Sequence, residues 1–215
     1  MLYQEVIANH ITITSMLPEY AEQLEVLHRV VFPNLAEDEL LHAKQYRKHI
    51  EIFPEGQFVA LDGNRVVGAT SSIRYHFDIN HQQHHSFYEV MGGGWFTTHD
   101  PQGEWLYGMD ISVHPAYRGK SIARALYRAR QHTCTALGLK GQMTVGMLNG
   151  YAGVRDIMSI ETYYEKVKAH ELFDPTVSVQ EKIGFTIVGL MKDYLNDSTC
   201  GNAGAVIVLP ANVKI

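Results

Sequence analysis

The sequence predicts an α/β fold, a mixed sheet with helices on its faces, and three observations carry that prediction. Runs with strand alternation and runs with helical periodicity interleave along the chain instead of segregating into halves. A short apolar strand ending in Ile111 and Val113 meets Pro115, a glycine turn, and then a strongly helical segment from Ile122. The 215 residues, 46% hydrophobic and 19% charged, suit one domain with a sizeable core.

Each element follows from its local chemistry. Residues 11–14 alternate as Ile-Thr-Ile-Thr, a strand pattern. Pro18 opens a helix with Glu19 and Glu22 in its first turn, and Pro33 stops it. A second helix is expected over 36–50, ended before Pro54. Residues 57–61 and 65–75 flank Asp62-Gly63-Asn64 and read as a β-hairpin. A polar stretch rich in glycine and histidine covers 77–103, and a strand follows over 105–113. The next helix places Ile122, Leu126, Ala129, Thr133 and Leu137 on one stripe, beside Ala125 and Ala136, with Gly138 as its C-terminal cap. A strand over 142–147, helices over 159–170 and 176–183, and strands over 185–190 and 205–209 complete the order. No internal repeat or linker divides the chain.

Composition narrows the function classes. A formal charge of −5 without a dense basic face argues against nucleic acid as a partner. Basic residues do gather at Arg118, Lys120, Arg124, Arg128 and Arg130, either as a solvated helix face or as an attraction for phosphates. Cys134 and Cys200 are the two cysteines, so no disulfide framework is indicated. No run has the length of a membrane span and no signal-peptide pattern opens the chain, so a cytoplasmic protein off the membrane is expected.

The strand–turn–helix at 111–124 aims unpaired N–H groups and the positive end of a helix dipole at one point, an anion site. Gly119-Lys120-Ser121 imitates the end of a P-loop, but that motif needs glycine where His114 stands. Val113-x-Pro115-x-Tyr117-Arg118-Gly119-Lys120-x-Ile122-Ala123 instead resembles the acyl-CoA signature of the GCN5-related N-acetyltransferases (GNAT), with Ser121 in place of the usual glycine. Two further stretches, Gly92 to Gly108 and Leu172 to Leu195, are similar to a branch of that family that stands alone or is fused to a nitrilase-like hydrolase. The hydrolase half is expected to be absent here.

The resemblance implies one GNAT-like domain over 1–215 with a mostly antiparallel sheet, helices on both faces, and a helical insertion at about 149–178. It implies direct acetyl transfer from acetyl-CoA, as co-substrate, to an amine of a small molecule or peptide. The backbone of Ile111, Ser112 and Val113 would hold the pantetheine arm. The amides of Arg118, Gly119, Lys120, Ser121, Ile122 and Ala123 would hold the pyrophosphate. Ser121 can bind in this way if its dihedrals are ordinary.

Proton chemistry is less defined. Many family members carry a tyrosine acid where Gln180 stands here, and a carboxamide cannot serve as that acid. Tyr151 is a candidate substitute, with Tyr163 and Tyr164 behind it, or solvent protonates the thiolate. The family's base often lies on the strand before the signature, where Tyr107 falls. Asp110 and Glu104 are the neighbouring candidates, with His99 further upstream. His76, His81, His84 and His85 match no zinc spacing, so no metal is expected. Gly92, Gly93 and Gly94 form either a lid or a tight turn, with Trp95 and Phe96 lining a pocket or pinning the loop. The competing class is a non-catalytic acyl-CoA-binding or sensing module. The insertion is a candidate homodimer interface.

Overall fold

A two-residue turn, Gly63-Asn64, folds the chain back between β3 (Phe58–Asp62) and β4 (Arg65–Tyr75), with Gly63 at φ +57°. This hairpin supplies the third and fourth of eight strands in a computed structural model that describes residues 3–7 and 10–215. Around it stand β1 (Gln4–Val6), β2 (Ile11–Ser15), β5 (Trp105–Val113), β6 (Gly141–Met147), β7 (Thr186–Met191) and β8 (Gly204–Pro210), in the spatial order β1-β2-β3-β4-β5-β6-β8-β7. Every neighbouring pair is antiparallel except β5–β6. β1 was not expected; it is a short edge strand whose outer residues are exposed, so no burial pattern marks it.

The helices are α1 (Ala21–Val31), α2 (Ala43–Ile52), α3 (Phe87–Val90), α4 (Ile122–Ala136), α5 (Ile160–Lys168) and α6 (Val177–Ile183). α1 and α2 cover one sheet face, packing Leu24, Leu27 and Tyr46 among Val59, Ala69, Ile73, Tyr107 and Met109. α4 covers the other face, setting Ile122, Ala125, Leu126 and Ala129 against Ile13, Phe58, Ala60 and Val67. α5 and α6 close over β7 and β8 through Tyr163, Val167, Val177 and Ile183.

Three boundaries differ from expectation. Pro18 opens a single 3-10 turn before α1 begins. The second helix starts at Ala43, not Ala36, because Glu25 of α1 accepts the Ala43 N–H at 2.8 Å and so supplies a carboxylate at the helix start; residues 37–39 form a separate 3-10 turn. On α4 the buried face ends at Cys134, leaving Ala136 and Leu137 exposed. Gly138, at φ +64°, ends the helix as expected and turns Leu139 inward in their place.

The feature that positions the site is a β-bulge. Ser71 faces Asp110 and Ser72 faces Gly108, so Met109 has no partner on β4. An extra residue inverts the alternation: Trp105, Tyr107 and Met109 face α1 and α2, whereas Ile111 and Val113 face α4. The parallel ladder between β5 and β6 ends at the same place, with Gly108 opposite Thr144 as its last rung.

Candidate functional site: a parted strand pair beside an anion-binding turn

Beyond Gly108 and Thr144, β5 and β6 share no ladder. Ile111, Ser112 and Val113 still pair with Thr70, Ala69 and Gly68 of β4, so one backbone edge of β5 is occupied and the edge toward β6 is open. The bulge bends and twists the strand, which separates it from a neighbour that carries straight on. Thr144 Oγ1 donates to Gly108 O at 2.7 Å and closes the apex of the gap.

Arg130 holds the bulge from behind. Its side chain is fully buried on α4, and Nη2 donates to the carbonyls of Asp110 and, at 3.3 Å, Ser71. The Asp110 carboxylate accepts the Ser71 N–H at 2.8 Å. Burial pushes the Asp110 carboxyl above the usual range, against the pull of the Arg130 charge and the Ser71 N–H.

At the far end of β5 the chain makes one 3-10 turn (Pro115–Tyr117) and enters α4. His114 Nδ1 accepts the Ala116 N–H, and Tyr117 donates to Asp62 at 2.7 Å, fastening the turn to the β3–β4 hairpin. Gly119 has φ +78° and Ser121 φ +62°. Ser121 therefore does not have the ordinary dihedrals expected of it: it occupies a left-handed position that glycine adopts without strain. Left-handed Ser121 followed by helical Ile122 curls successive N–H groups toward a common centre, the geometry of an anion nest. Among the described residues, no protein acceptor takes the N–H of Gly119, Lys120 or Ser121, and Ile122 and Ala123 are first-turn residues without intrahelical partners.

The basic cluster divides by role. Arg130 is buried, and Arg128 is paired with Glu5. Arg118, Lys120 and Arg124 remain exposed around the turn.

The proton-handling candidates are dispersed. Asp110 lies at the parted strands. Glu104 does not: it precedes β5, four residues or about 13 Å before the apex at Gly108 at about 3.3 Å per residue, and pairs with His76 and, at 3.2 Å, Lys140. Tyr151 follows β6, and its hydroxyl donates to Met158 O at 3.0 Å. Tyr163 donates to Asp174, and burial raises Tyr164 to about 12. Gln180 is buried on α6 and donates from Nε2 to Tyr127 Oη at 2.7 Å. His99 accepts the Arg74 N–H and stacks on Phe53, away from the gap.

The four loop histidines part company. His76 meets Glu104 and Asp100, His81 meets Asp78, His84 meets Lys192 O, and His85 meets Tyr107. The glycine run is a tight turn clamped by α2, with Gln45 donating to Gly93 O and His49 to Gly94 O. Phe96 pins it by stacking on His49 at 3.5 Å, while Trp95 stays partly exposed beside Lys44.

Two groups escaped the sequence reading. Asp174, fully buried, accepts from Gly150 N, Tyr163 Oη, Thr176 N and Val177 N and so ties the 149–178 segment together. Its one local signal was an Asp-Pro-Thr start to the following helix. The other is a chain of hydroxyls and imidazole, His85–Tyr107–Tyr194, for which contacts distant in sequence leave no local signal.

Residues 21–152 match the model of the acetyltransferase (GNAT) family, and the chain belongs to that family of enzymes. Two proteins of Bacillus subtilis are similar. The probable hydrolase YhcX is 34% identical over 165 residues, 77% of this chain and 32% of YhcX, so the chain spans about a third of that relative. The uncharacterized N-acetyltransferase YkwB is 27% identical over 198 residues, 92% of this chain and 87% of YkwB.

Solved structures share the fold. The loading GNATL domain of CurA from Lyngbya majuscula has a TM-score of 0.78 at 18% identity, over 94% of this chain and 98% of that one. The GphF GNAT-like decarboxylase with isobutyryl-CoA has 0.76 at 20%, over 93% and 99%. The putative acetyltransferase yncA from Salmonella typhimurium, with acetyl-CoA, has 0.58 at 14%, over 96% and 96%. Among the described residues, no helix is long and apolar enough to cross a membrane.

Proposed function

We propose that this chain is an acetyl-CoA-dependent N-acetyltransferase that moves the acetyl group directly to an amine of a small molecule or peptide. The observation that carries the reading is the coincidence of an open β5 edge with an unpaired amide nest on the next turn. In this reading the pantetheine amides pair with Ile111, Ser112 and Val113 as a partial added strand, and the pyrophosphate rests on the amides of 119–123; the Arg118 amide, expected among them, instead donates to Pro115 O at 3.3 Å. Arg118, Lys120 and Arg124 add charge. The acyl-CoA complexes of GphF and yncA support it.

Holding thioester and amine together in the gap supplies much of the acceleration. A β5 N–H polarises the thioester carbonyl as charge develops on its oxygen. Asp110 has a structural part, since its carboxylate is engaged with Ser71 and keeps the bulge in shape. The thiolate leaves toward solvent, because Gln180 cannot donate a proton as an acid.

The likeness to GphF, a GNAT-like decarboxylase, at a TM-score of 0.76 favours a second reading, chemistry on the acyl-CoA itself without an amine. One assay separates the two. The protein is given acetyl-CoA with phenethylamine, spermidine or an alanine-initiated peptide, and separately malonyl-CoA alone. Amine-dependent release of CoA thiol is expected. Conversion of malonyl-CoA to acetyl-CoA without amine-dependent thiol release would replace the first reading by the second, and acyl-CoA binding without turnover would leave a sensing module.

A further inference from the structure

Two helices border the parted strands on the α4 side of the sheet. Arg130 of α4 lies against Gly108 at the apex. Gln180 of α6 lies against Gly146, two residues past the last rung on β6, where a Cβ would stand 2.4 Å from Gln180 Oε1. Gln180 also donates to Tyr127 of α4, so α6 runs beside α4 along the β6 flank of the gap. Toward the amide nest the same pair of helices is tied again. Arg124, in the first turn of α4, donates from Nη2 to Lys182 O at 3.3 Å, which holds Lys182 next to the anion-binding turn.

From there the Lys182 side chain reaches Phe173, with Nζ 5.0 Å from the ring centroid. Phe173 is 59% exposed, yet the backbone that carries it is fixed. Its neighbour Asp174 is fully buried, accepts the four donors of Gly150, Tyr163, Thr176 and Val177, and gives its own N–H to Ser178 Oγ at 2.9 Å. An aromatic ring held out in water by a locked backbone loses little freedom when a flat group stacks on it. The lysine resting there is a weak contact at an exposed site and yields readily to such a group.

Charge on this flank is uncommitted. The acidic side chains nearest in sequence are engaged elsewhere, Glu171 with Lys166 at 2.7 Å and Glu181 toward His170 at 3.8 Å. Among the described residues, neither Lys182 nor Arg124 has a carboxylate within ion-pair distance. An open aromatic face and a free ammonium beside an anion nest suit a purine nucleotide that carries a phosphate monoester.

We propose that Phe173 and Lys182 form the subsite for the 3′-phosphoadenosine end of the donor, with adenine stacked on Phe173 and the 3′-phosphate on the Lys182 ammonium. This rests on the acyl-CoA reading above, in which the pyrophosphate lies on the amides of 119–123. The ribose follows Arg124, which joins the nest to Lys182. The consequence is a donor class. The protein takes thioesters of free CoA in preference to thioesters on a bare 4′-phosphopantetheine arm.

Calorimetry on the whole chain tests the subsite without reference to turnover, using CoA, 3′-dephospho-CoA and 4′-phosphopantetheine as probes. Wild type is expected to bind CoA at least about fivefold more tightly than 3′-dephospho-CoA, the worth of one charge-assisted phosphate contact. Lys182→Gln should remove that difference, weakening CoA while 3′-dephospho-CoA stays within about twofold. Phe173→Ala should weaken both nucleotides at least about fivefold through lost stacking. Its affinity for 4′-phosphopantetheine should stay within about twofold, which also reports that the variant is folded. Equal wild-type affinity for CoA and 3′-dephospho-CoA overturns the subsite and leaves the acyl-CoA reading standing. So do variants that weaken all three probes alike, or none. A wild-type protein that binds none of the three overturns that reading and the subsite with it.

Discussion

Arg130 lies across the face of Gly108 so closely that a Cβ there would stand 2.0 Å from Nη1. The contact joins α4 to the one stretch of β5 where the ladder breaks, because the same guanidinium bonds the carbonyls of Asp110 and Ser71. Gly108→Ala is expected to destabilise the fold by about 1–3 kcal/mol through overpacking. Arg130→Met, which leaves both carbonyls without that donor and Asp110 without its facing charge, is expected to cost about 3 kcal/mol or more. Urea midpoints measure both; unchanged midpoints would show that the bulge holds itself.

The amide nest makes a separate prediction. Arg118→Glu combined with Gly119→Asp places carboxylates where a pyrophosphate would sit, and CoA affinity measured by calorimetry should fall at least about a hundredfold, roughly 2.7 kcal/mol. Both residues are exposed and the Gly119 side faces open space, so the thermal midpoint should move much less than the affinity. Undiminished affinity would move the CoA site elsewhere.

Ser121 keeps a left-handed backbone without being glycine. Ser121→Gly should be neutral to stabilising by less than about 1 kcal/mol, relief of strain being offset by a more flexible unfolded chain. Ser121→Val should destabilise by more than about 1 kcal/mol, because a β-branched residue tolerates that conformation poorly. Paired thermal melts decide the order of the two variants.

Tyr151 spends its proton on the carbonyl of Met158. Tyr151→Phe is expected to lower the melting temperature by about 2–4 °C, the loss of one hydrogen bond of about 1 kcal/mol in a domain of this size. Turnover number should stay within about twofold. A drop of a hundredfold, roughly 2.7 kcal/mol in the barrier, would make Tyr151 the acid after all.

Two buried histidines link stability to pH. Burial lowers His28 to about 3 and His49 to about 4, both below the unfolded value of 6.5. The unfolded chain therefore takes up protons first as pH falls, and stability drops from about pH 6.5 downward, by at most about 1.4 kcal/mol per pH unit for each. Between pH 6.5 and about 5, above most carboxylate titration, His49→Gln should flatten the fall in melting temperature. An unaltered slope would show that His49 is protonated equally in both states.

Much of this was legible in sequence because it is local. Asp62-Gly63-Asn64, the run from Trp105 to Val113, the glycine turn and the Gly138 cap each depend on neighbours a few positions away, and the structure keeps them all. The start of α2 was not local, since Glu25 of another helix selects Ala43. Nor was the separation of the basic residues, because burial against Gly108 removes Arg130 from the charged face and an ion pair with Glu5 occupies Arg128.

By itself the sequence determined the order of the main strands and helices, the glycine turn at 118–123 and the family resemblance, all of which are written in periodicity, punctuation and a short motif. The tertiary structure decided where β5 inverts its faces, which carboxylates approach the gap, and that His85, Tyr107 and Tyr194 meet across 22 and 87 positions of chain. The physical reason is range. Backbone preference acts over a few residues, whereas a bulge, a buried charge and a hydrogen-bonded line are settled by which distant surfaces the packed sheet brings together.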